Sequence, residues 1–440
     1  MKDIRQLIRE SGAVGAGGAG FPAWAKFSAD AEILLINGAE CEPLLYTDYY
    51  ILKEERQTVL AGAEALLDSG EGREAILALE TRKGELLSLY DGQKLTPRLT
   101  VRLLPDAYPM GDEVSLVLEA TGRTVPPGKL PLSVGVVVRN VETVWNLGRA
   151  LTEGKPVCDS WITVCGDLPE SYTLRVPVGT PVRDILTHLS LSVPEGDLVL
   201  DGGPAMGKII DPDTAVITKT TKAITVLPRS CTASRSHLKN AEVSLRLAAS
   251  ACCQCTRCTD MCPRYLLGYP LAPHLMVRAG VKGGQIDPRL LATAQLCCGC
   301  GLCETVACCQ GISPKAVIDS YKEILRQSGT RYRDEAPVSP RADRAFRILP
   351  AHRFAEHMGV ARYHRIPLRP RERMIPSRVE IPLGRQIGAP SVPAVSVGDT
   401  VRRGQVIATA AEGLSVPQHA SLCGTVRAVT STSITIEREG

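Results

Sequence analysis

The chain has 440 residues, of which 44% are hydrophobic and 22% are charged. One hydrophobic core rarely serves a chain of this length, so we expect three or more domains. The net charge of +4 is too small, and too evenly spread, to indicate a nucleic-acid-binding protein. The apolar stretch 132–138 is far shorter than the roughly eighteen residues that a membrane helix needs, so no direct membrane span is expected.

The first ten residues have the apolar spacing of a short amphipathic helix. This helix either opens the first domain or serves as a docking or encapsulation peptide. A glycine-rich loop over 15–22 follows directly, and glycines at that density let backbone amides approach an anion without obstruction by side chains. Lys26 adds a positive charge suited to a phosphate. The loop therefore predicts an anion site, with a plain structural turn as the alternative.

Strand and helix patterns alternate after the glycine loop. Residues 32–36 predict a buried strand, 54–67 a helix and 75–80 a second strand, which indicates an α/β domain with a mainly parallel sheet. The polar segment 37–43 comes directly after the first strand. It therefore lies at the carboxyl end of a strand, where α/β folds bind ligands.

The chain then becomes rich in short β-type segments. Strands are predicted at 161–165, 172–176 and 198–200, with a helix at 182–189 between the second and the third. This strand-strand-helix-strand order is that of a β-grasp unit. The glycine-rich turn 201–207 follows the last of these strands, and either it binds a ligand or the unit is a spacer.

Two runs of closely spaced cysteines stand about forty residues apart, among segments that predict helices. Two-residue gaps let three thiolates reach one iron-sulfur cubane, and in two-cluster ferredoxins the fourth cysteine of each run serves the other cluster. The spacing therefore predicts two 4Fe-4S centres with crossed ligands. The first centre is assigned Cys252, Cys255, Cys258 and Cys308, and the second is assigned Cys262, Cys297, Cys300 and Cys303.

The second run is looser than the first, because four residues separate its last two cysteines, and Cys309 could replace Cys308 as a ligand. Zinc and disulfides are the competing interpretations. Structural zinc sites use separated pairs of cysteines rather than triple runs. Disulfides need an oxidising compartment, and no secretory signal indicates one.

The last third of the chain changes character twice. Residues 331–378 contain twelve arginines, six prolines and only five acids, which predicts a partly extended, solvated linker. Docking of an acidic partner or redox carrier is the alternative. The segments 387–390, 397–408 and 416–426 then resemble a barrel-sandwich hybrid domain of the lipoyl and biotinyl type. A swinging arm needs a lysine at the hairpin tip, and the matching turn 418–421 has none, so a structural role is expected.

Four ordered motifs in the first part of the chain are similar to signatures of the FMN-binding subunit of respiratory complex I. They span residues 17–22, 37–43, 108–113 and 140–143. They resemble more closely still the RnfC proteins of the Rnf complex and the PduS-type cobalamin reductases of propanediol-utilisation microcompartments. The predicted barrel follows the cysteine runs here, as in PduS-type proteins, whereas in RnfC proteins it precedes the flavin domain.

This resemblance implies a non-covalently bound FMN that accepts hydride from NADH. It implies that the phosphate lies against Gly15, Gly17, Gly18, Gly20 and Lys26. Further cofactor contacts are implied for Asn37, Glu40, Glu42, Tyr108, Gly111, Glu113, Asn140 and Thr143. Phe21 either stacks on the nicotinamide or flavin or has a packing role.

The resemblance implies an NADH-dependent oxidoreductase, a cobalamin reductase in which electrons pass from NADH through FMN and two 4Fe-4S clusters to cobalt. A flavin is needed because NADH gives two electrons at once, whereas clusters and cobalt accept one each. The alternative is an RnfC-like protein that passes electrons to a protein partner in a membrane or microcompartment complex. A scaffold that has lost its flavin is a third, weaker interpretation.

The expected partners are NADH, a corrinoid or a corrinoid-dependent enzyme or adenosyltransferase, and a microcompartment shell or redox protein, with a location in the cytoplasm or inside a microcompartment. The expected fold is multidomain α/β and α+β. Its predicted units are a Rossmann-like FMN domain at 1–153, a soluble-ligand-binding β-grasp (SLBB) domain at 154–232, a ferredoxin-like helical module with two 4Fe-4S clusters at 233–328, a basic linker at 329–378 and a barrel-sandwich hybrid domain at 379–440.

Overall fold

The computed structural model describes residues 4–283, 286–333, 336–370 and 373–438. Parts of four predicted elements lie outside the described residues: 1–3 of the first helix, 284–285 of the cysteine-bearing module, 334–335 and 371–372 of the basic segment, and 439–440 of the barrel. Within the described ranges, no helix has the length and apolar character needed to cross a membrane.

The amino-terminal domain is an α/β unit built on a four-stranded parallel sheet. Its inner strand Ile33–Asn37 is apolar along almost its whole length, because helices cover both faces of the sheet. In spatial order the strands are Leu99–Leu104, Glu74–Glu80, Ile33–Asn37 and Val136–Asn140. The helices are Ile4–Glu10, Thr47–Glu54, Arg56–Asp68, Thr81–Leu86, Glu113–Thr121 and Val141–Glu153, with 3-10 turns at Ala23–Lys26 and Pro131–Val134.

Two glycines let the two longest helices of this domain cross closely. A Cβ on Gly62 would lie 2.5 Å from the carbonyl oxygen of Val144, and one on Gly148 would lie 2.5 Å from that of Thr58. No side chain fits in either place, so the helix axes can approach each other. The crossing fixes the second of these helices, whose first turn carries the predicted site residue Thr143, at the carboxyl edge of the sheet.

The second domain is a mixed five-stranded sheet with one helix, Val182–His188, after its first two strands. In spatial order the strands are Tyr172–Pro177, Asp159–Gly166, Ala223–Leu227, Leu198–Asp201 and Lys208–Ile210. The second and third of these run parallel, and the other neighbouring pairs are antiparallel. The predicted strand-strand-helix-strand order is present, and the sheet also contains two strands that the sequence did not indicate.

The cysteine-bearing module is helical, and its cysteines lie mainly in the loops between short helices. Its longer helices are Ala241–Ala251, Pro273–Lys282 and Pro314–Gln327. Shorter turns of helix occur at Thr232–His237, Arg257–Asp260, Pro263–Leu266, Pro288–Ala292, Thr293–Leu296 and, as a π turn, Cys303–Ala307. One apolar core runs from Leu35 of the parallel sheet to Ile318 of this module. The module therefore packs directly on the α/β domain.

Residues 336–370, here called the strap, return across the other domains. The strap contains Arg344–Arg347, Leu349–Pro350, Ala351–Met358 and Ala361–Tyr363. Its short strand pairs with Ala107–Tyr108 of the first domain, and Leu368 pairs with Tyr172 at the edge of the second. This segment is therefore not the solvated linker that its composition predicts.

Two features hold the strap against the other domains: an apolar face on one of its helices, and ion pairs with acids from distant parts of the chain. Phe354, Ala355 and Met358 are buried on one face of a helix whose other face is polar. Arg344 pairs with Glu119, and Arg369 pairs with Glu54 at 3.0 Å. The acids that neutralise these arginines are far away in sequence, so the local composition could not reveal them.

The carboxyl-terminal domain is made of two small sheets around an apolar core. One sheet contains Arg378–Pro382, Ser433–Glu437, Gly424–Val429 and Thr400–Val401, and the other contains Val392–Pro393, Val406–Thr409 and Gln418–His419. The turn 418–421 is buried, and the hydroxyl of Ser421 donates to the carbonyl of Val178 at 2.6 Å. The turn is thus occupied in docking on the second domain, which fits the structural role expected for it.

Candidate functional site

The glycine-rich loop forms an open backbone cradle at the carboxyl edge of the parallel sheet. The amide of Gly20 donates to the carbonyl of Gly15 at 3.2 Å, and the amide of Gly15 donates to that of Phe21 at 2.8 Å. Between these bonds, the amides of Gly17 and Gly18 have no acceptor among the described residues. Gly18 has φ +104°, and no atom lies within 4 Å of the position of a Cβ. The cradle therefore presents donors to open space, as an anion site requires.

Five of the predicted cofactor residues are joined by three contacts, one of which reaches this cradle. Lys26 pairs with Glu113 at 2.5 Å, and both side chains are partly exposed. The Asn37 amide group donates to the carbonyl of Gly111 at 3.0 Å. The hydroxyl of Thr143 accepts from the loop backbone at 3.0 Å. The structure thus brings together residues from three of the four motifs around the glycine loop.

Asn140 connects this edge of the sheet to the second domain. Its side chain accepts from the amide of Glu142 at 3.0 Å, which caps the following helix, and donates to Asp48 at 2.6 Å. The side-chain nitrogen of Lys222, from the second domain, lies 2.8 Å from a carboxylate oxygen of Asp48 and 2.8 Å from one of Glu142. Burial alone would lower the pKa of Lys222, but the two carboxylates raise it above its ordinary value. The buried ammonium group of Lys222 therefore holds Asp48 in place, and Asp48 in turn holds the side chain of Asn140.

Glu40 is engaged inside the α/β domain. Its carboxylate accepts from the amides of Thr47 and Asp48 and pairs with Lys83 at 3.1 Å. Burial opposes its charge, but Lys83 and Lys222 hold the pKa of Glu40 below its ordinary value. Glu40 therefore fixes the polar turn after the first strand, while the residues already described face the cradle.

Glu42 contacts the glycine-rich turn 201–207 of the second domain. Its Oε1 accepts from the amides of Ala205 and Met206 at 2.8 Å each. A Cβ on Gly203 would lie 2.0 Å from the Glu42 side chain, so only glycine permits this approach. Burial raises the pKa of Glu42 to about 7. The turn therefore docks on the first domain, which is the spacer arrangement considered from the sequence.

Tyr108 links the α/β domain to the cysteine module. Its hydroxyl donates to the carbonyl of Cys300 at 2.9 Å, and its ring stacks on Phe354 of the strap with 3.9 Å between ring centroids. Both aromatic side chains are buried. Phe21, in contrast, is only partly buried beside the cradle, so its ring is free to serve either of the roles considered for it.

The eight predicted ligand cysteines form two groups, and each group lines its own cavity. The outer set consists of Cys252, Cys255, Cys258 and Cys308. The inner set consists of Cys262, Cys297, Cys300 and Cys303. These are the two crossed sets that the spacing predicts. Among the described residues, no three His, Cys, Asp or Glu side chains are placed to hold a single metal ion, and the cysteines are all free thiols.

The π turn Cys303–Ala307 accommodates the longer gap of the second run. A π turn takes up one residue more than an α turn, so Cys308 still faces the outer cavity. Burial raises the pKa of the Cys258 thiol to about 12, and the neighbouring Cys308 and Cys255 add to the rise. Cys309 lines the same cavity but is more exposed. Both thiols thus lie at the outer cavity, and the choice of Cys308 as the ligand stays a prediction.

The backbone of both cysteine runs suits an anionic cluster. Gln254 and Thr256 in the first run have φ of 54° and 61°, and Gly299 and Gly301 in the second have φ of 75° and 77°. Left-handed residues next to right-handed ones turn successive amides toward one side of the chain and form a nest for anions. Two cysteine-lined cavities with such loops fit 4Fe-4S clusters, and the open glycine cradle with Lys26 fits the phosphate of FMN.

Three residues that the sequence did not single out complete this site: Asp112, Lys222 and Phe354. Asp112 lies within the 108–113 motif and pairs with Arg264 at 2.6 Å, so the motif itself was a signal for it. Lys222 and Phe354 act through partners from distant parts of the chain. No local pattern marks either of them.

Three family models match the chain. The Nuo51 FMN-binding domain matches residues 8–149, a 4Fe-4S dicluster domain matches 251–313, and the RnfC barrel sandwich hybrid domain matches 368–439. The chain is 38% identical to cobalamin reductase PduS of Salmonella typhimurium over 99% of this chain and 96% of that protein. It is 31% identical to the C component of the ion-translocating oxidoreductase complex of Actinobacillus succinogenes, over 60% of this chain and 36% of that protein.

A crystal structure of a NAD+-reducing [NiFe]-hydrogenase also aligns with the chain, with a TM-score of 0.46, 18% identity, and coverage of 76% of this chain and 63% of that one. The matched domains define an iron-sulfur flavoprotein of the oxidoreductase class. Within that class, the full-length similarity is decisive. The chain belongs to the family of PduS cobalamin reductases.

Proposed function

We propose that this chain is an NADH-dependent corrinoid reductase that holds one FMN and two 4Fe-4S clusters. The hydride of NADH brings two electrons to the site, and they leave one at a time through the clusters. One NADH then reduces two cobalt(III) centres to cobalt(II), with release of NAD+ and one proton. The relative named a cobalamin reductase supports the choice of a corrinoid as acceptor.

One observation carries this proposal: the segment 108–113 contacts both the candidate flavin site and the inner set. Gly111 and Glu113 bond to the predicted cofactor residues Asn37 and Lys26, while Tyr108 and Asp112 bond to the cysteine module. The FMN phosphate would accept hydrogen bonds from the free amides of the cradle and meet Lys26. A flavin held there supplies the conversion from a two-electron donor to one-electron acceptors.

We also propose that the second domain is an SLBB-type β-grasp unit that works as a spacer, and that the first domain is Rossmann-like in its ligand-binding edge. The docking of the turn 201–207 on Glu42 supports the spacer role, because the glycine backbone there is already occupied by a protein side chain. A location in the cytoplasm or in a microcompartment remains a prediction. Co-localisation of a fluorescently tagged chain with shell proteins would test it.

An RnfC-like role, in which a protein partner receives the electrons, is the second candidate. It is favoured by the similarity to the ion-translocating complex and by a surface-exposed group of cysteines in the outer set. The position of the barrel at the carboxyl end supports the reductase instead, since it follows the arrangement of the full-length relatives.

The decisive experiment mixes anaerobic, cluster-loaded protein with NADH and aquacobalamin and follows the corrin absorbance. Gly18→Asp places a carboxylate in the cradle, where it repels a phosphate, and we expect it to lose bound FMN and corrin reduction. Gly92→Asp is the matched control, because Gly92 also has positive φ (+76°) and open space around its Cβ but lies away from the cradle.

Fast corrin reduction in the wild type and in Gly92→Asp, with loss in Gly18→Asp, establishes the flavin-dependent reductase. Bleaching of flavin and clusters by NADH without corrin reduction rejects the corrinoid as acceptor and supports the protein-partner role. Protein that binds no FMN after reconstitution contradicts both.

A further inference from the structure

The inner and outer sets differ in whether they contact the motif 108–113. The hydroxyl of Tyr108 donates to the carbonyl of the inner-set residue Cys300 at 2.9 Å. Asp112 pairs at 2.6 Å with Arg264, which follows the inner-set residue Cys262 by two positions. Both contacts come from the segment 108–113. The inner set is therefore bonded directly to the candidate flavin domain.

The same segment also contacts two other residues predicted to bind the flavin, Asn37 and Lys26. Gly111 accepts from Asn37 at 3.0 Å, and Glu113 pairs with Lys26 at 2.5 Å. Six residues span at most about 20 Å when fully extended, and here they form a turn and the start of a helix. The candidate flavin site and the inner set are thus separated by less than the extended length of this one segment.

Buried side chains fill the space between them. Tyr108 is 3% exposed and Phe354, stacked on it, is fully buried. On the neighbouring side, the turn held by Glu42 brings the Met206 methyl group to 4.0 Å from the Cβ position of Gly299, between two inner-set cysteines. Tyr108 and Phe354 therefore form a packed connection between the segment 108–113 and the inner set.

The outer set has a different environment. Cys252 and Cys255 are exposed, whereas Cys262, Cys300 and Cys303 are buried. In the described part of the chain, no hydrogen bond or ion pair joins residues 252–258 or 308–311 to the α/β domain. The outer set therefore faces solvent on the side where an acceptor can approach.

We propose that the inner set holds the cluster that receives electrons from the flavin, and that the outer set holds the cluster that delivers them to the acceptor. This inference rests on the proposed function. In each passage the inner cluster takes one electron and gives it to the outer cluster, which gives it to the acceptor; two passages use the two electrons of one hydride. Tyr108 is a positioning residue that fixes the inner loop against the flavin domain.

The test uses electron paramagnetic resonance of full-length, reconstituted protein that is frozen after mixing with NADH. Cys297→Ala removes an inner ligand, and we expect the flavin to be reduced while the outer cluster stays oxidised, although dithionite still reduces it. Cys255→Ala removes an outer ligand, and we expect NADH to reduce the inner cluster while reduction of aquacobalamin is lost. Cys253→Ala, a neighbouring thiol outside both sets, serves as the control.

The reverse pattern, with NADH reducing the outer cluster in Cys297→Ala and failing to reduce the inner cluster in Cys255→Ala, overturns the proposed order. Reduction of the remaining cluster by NADH in both variants overturns it as well, because the clusters would then be filled in parallel. If the wild type passes electrons through both clusters in the expected order but leaves the corrinoid untouched, the order stands and only the proposed acceptor fails.

A second measurement keeps all the ligands in place. Tyr108→Phe removes only the hydroxyl that donates to Cys300, and we expect slower reduction of the inner cluster by NADH and a shifted inner-cluster spectrum, with an unchanged outer spectrum. Tyr321→Phe is the matched control, because Tyr321 is also buried and donates to a backbone carbonyl, that of Met276 at 3.2 Å. Equal rates and spectra in both variants would overturn the role of Tyr108.

Discussion

The two cysteine loops have the same backbone conformation and different side chains. In each triple run, the residues just before and just after the middle cysteine are left-handed: Gln254 and Thr256 in the outer loop, Gly299 and Gly301 in the inner one. Glycine adopts this conformation freely, whereas a side chain adds strain, most of all a β-branched one such as threonine. Both loops thus contain left-handed residues, but only the outer loop uses residues other than glycine there, at a cost in backbone strain.

The neighbours of each loop explain the difference. The second domain approaches the inner loop, and Met206 lies where a side chain on Gly299 would extend. The outer loop is exposed, so Gln254 and Thr256 have space for their side chains. The comparison shows that glycine holds the left-handed positions in the loop that another domain approaches, and larger residues hold them in the exposed loop. The cluster geometry alone tolerates other residues.

The largest expected effect tests the inner side of this comparison through the Asp112–Arg264 ion pair, whose side chains are 10% and 15% exposed. Asp112→Ala leaves a buried guanidinium without its partner, and we expect a loss of about 3–5 kcal/mol of unfolding free energy. Urea unfolding under anaerobic conditions, followed by circular dichroism and cluster absorbance, measures it. Asp112→Asn keeps an oxygen that can cap the following helix, so it separates the loss of the ion pair from the loss of the cap.

The matched change on the outer side is Arg347→Ala. Arg347 lies 3.7 Å from Asp260, next to the outer loop, and 2.7 Å from Asp343, and all three side chains are more than one-third exposed. A solvated pair of this kind contributes about 0–1 kcal/mol. Equal losses at the two pairs would contradict the distinction between a covered inner set and an exposed outer set.

The next prediction concerns the pH dependence of stability that comes from Glu42, whose carboxyl contacts the second domain beside the inner loop. The pKa of Glu42 is raised from 4.5 to about 7, so between these values the folded protein keeps a proton that the unfolded chain has released. Stability therefore falls as the pH rises from about 4.5 to 7, by at most about 3 kcal/mol at about 1.4 kcal/mol per pKa unit. Denaturation midpoints between pH 4.5 and 8 measure this slope.

Glu42→Gln removes the titrating group and can still accept from the amides of Ala205 and Met206. We expect its midpoint to lose part of this dependence on pH, because burial also raises the pKa of Glu80 to about 7 and that group remains, while the exposed Glu195→Gln keeps the slope of the wild type. A wild-type slope in Glu42→Gln would show that Glu42 does not contribute to it.

The sequence predicted the parts of the molecule whose signals are local. Cysteine spacing predicted the two groups of cysteines that line separate cavities, and alternating strand and helix patterns predicted the parallel sheet, because each signal is local in the chain. The ion pairs of Lys222 with Asp48 and Glu142 join residues 174 and 80 positions apart. The burial of Phe354 against Tyr108 likewise depends on tertiary packing. Such contacts leave no periodic pattern in the sequence, so the strap was predicted from its composition alone to be a solvated linker.

A smaller effect is expected when the inner loop receives the outer residue. Gly301→Thr puts a β-branched side chain at φ 77°, and a left-handed conformation costs about 1–2 kcal/mol for such a residue. A fall of the urea midpoint with the inner cluster still assembled is the expected result. An unchanged midpoint would mean that the loop relaxes away from the left-handed conformation, which the spectrum of the inner cluster would then report.

The reciprocal change, Thr256→Gly, has the smallest expected effect because two contributions oppose each other. Glycine relieves left-handed strain of about 1–2 kcal/mol. It also removes the 3.0 Å hydrogen bond from the Thr256 hydroxyl to Asp260 and frees the unfolded backbone, at about 1 kcal/mol each. The urea midpoint should therefore stay within experimental error of the wild type. A clear gain in stability would show that the left-handed strain at Thr256 exceeds both of these losses.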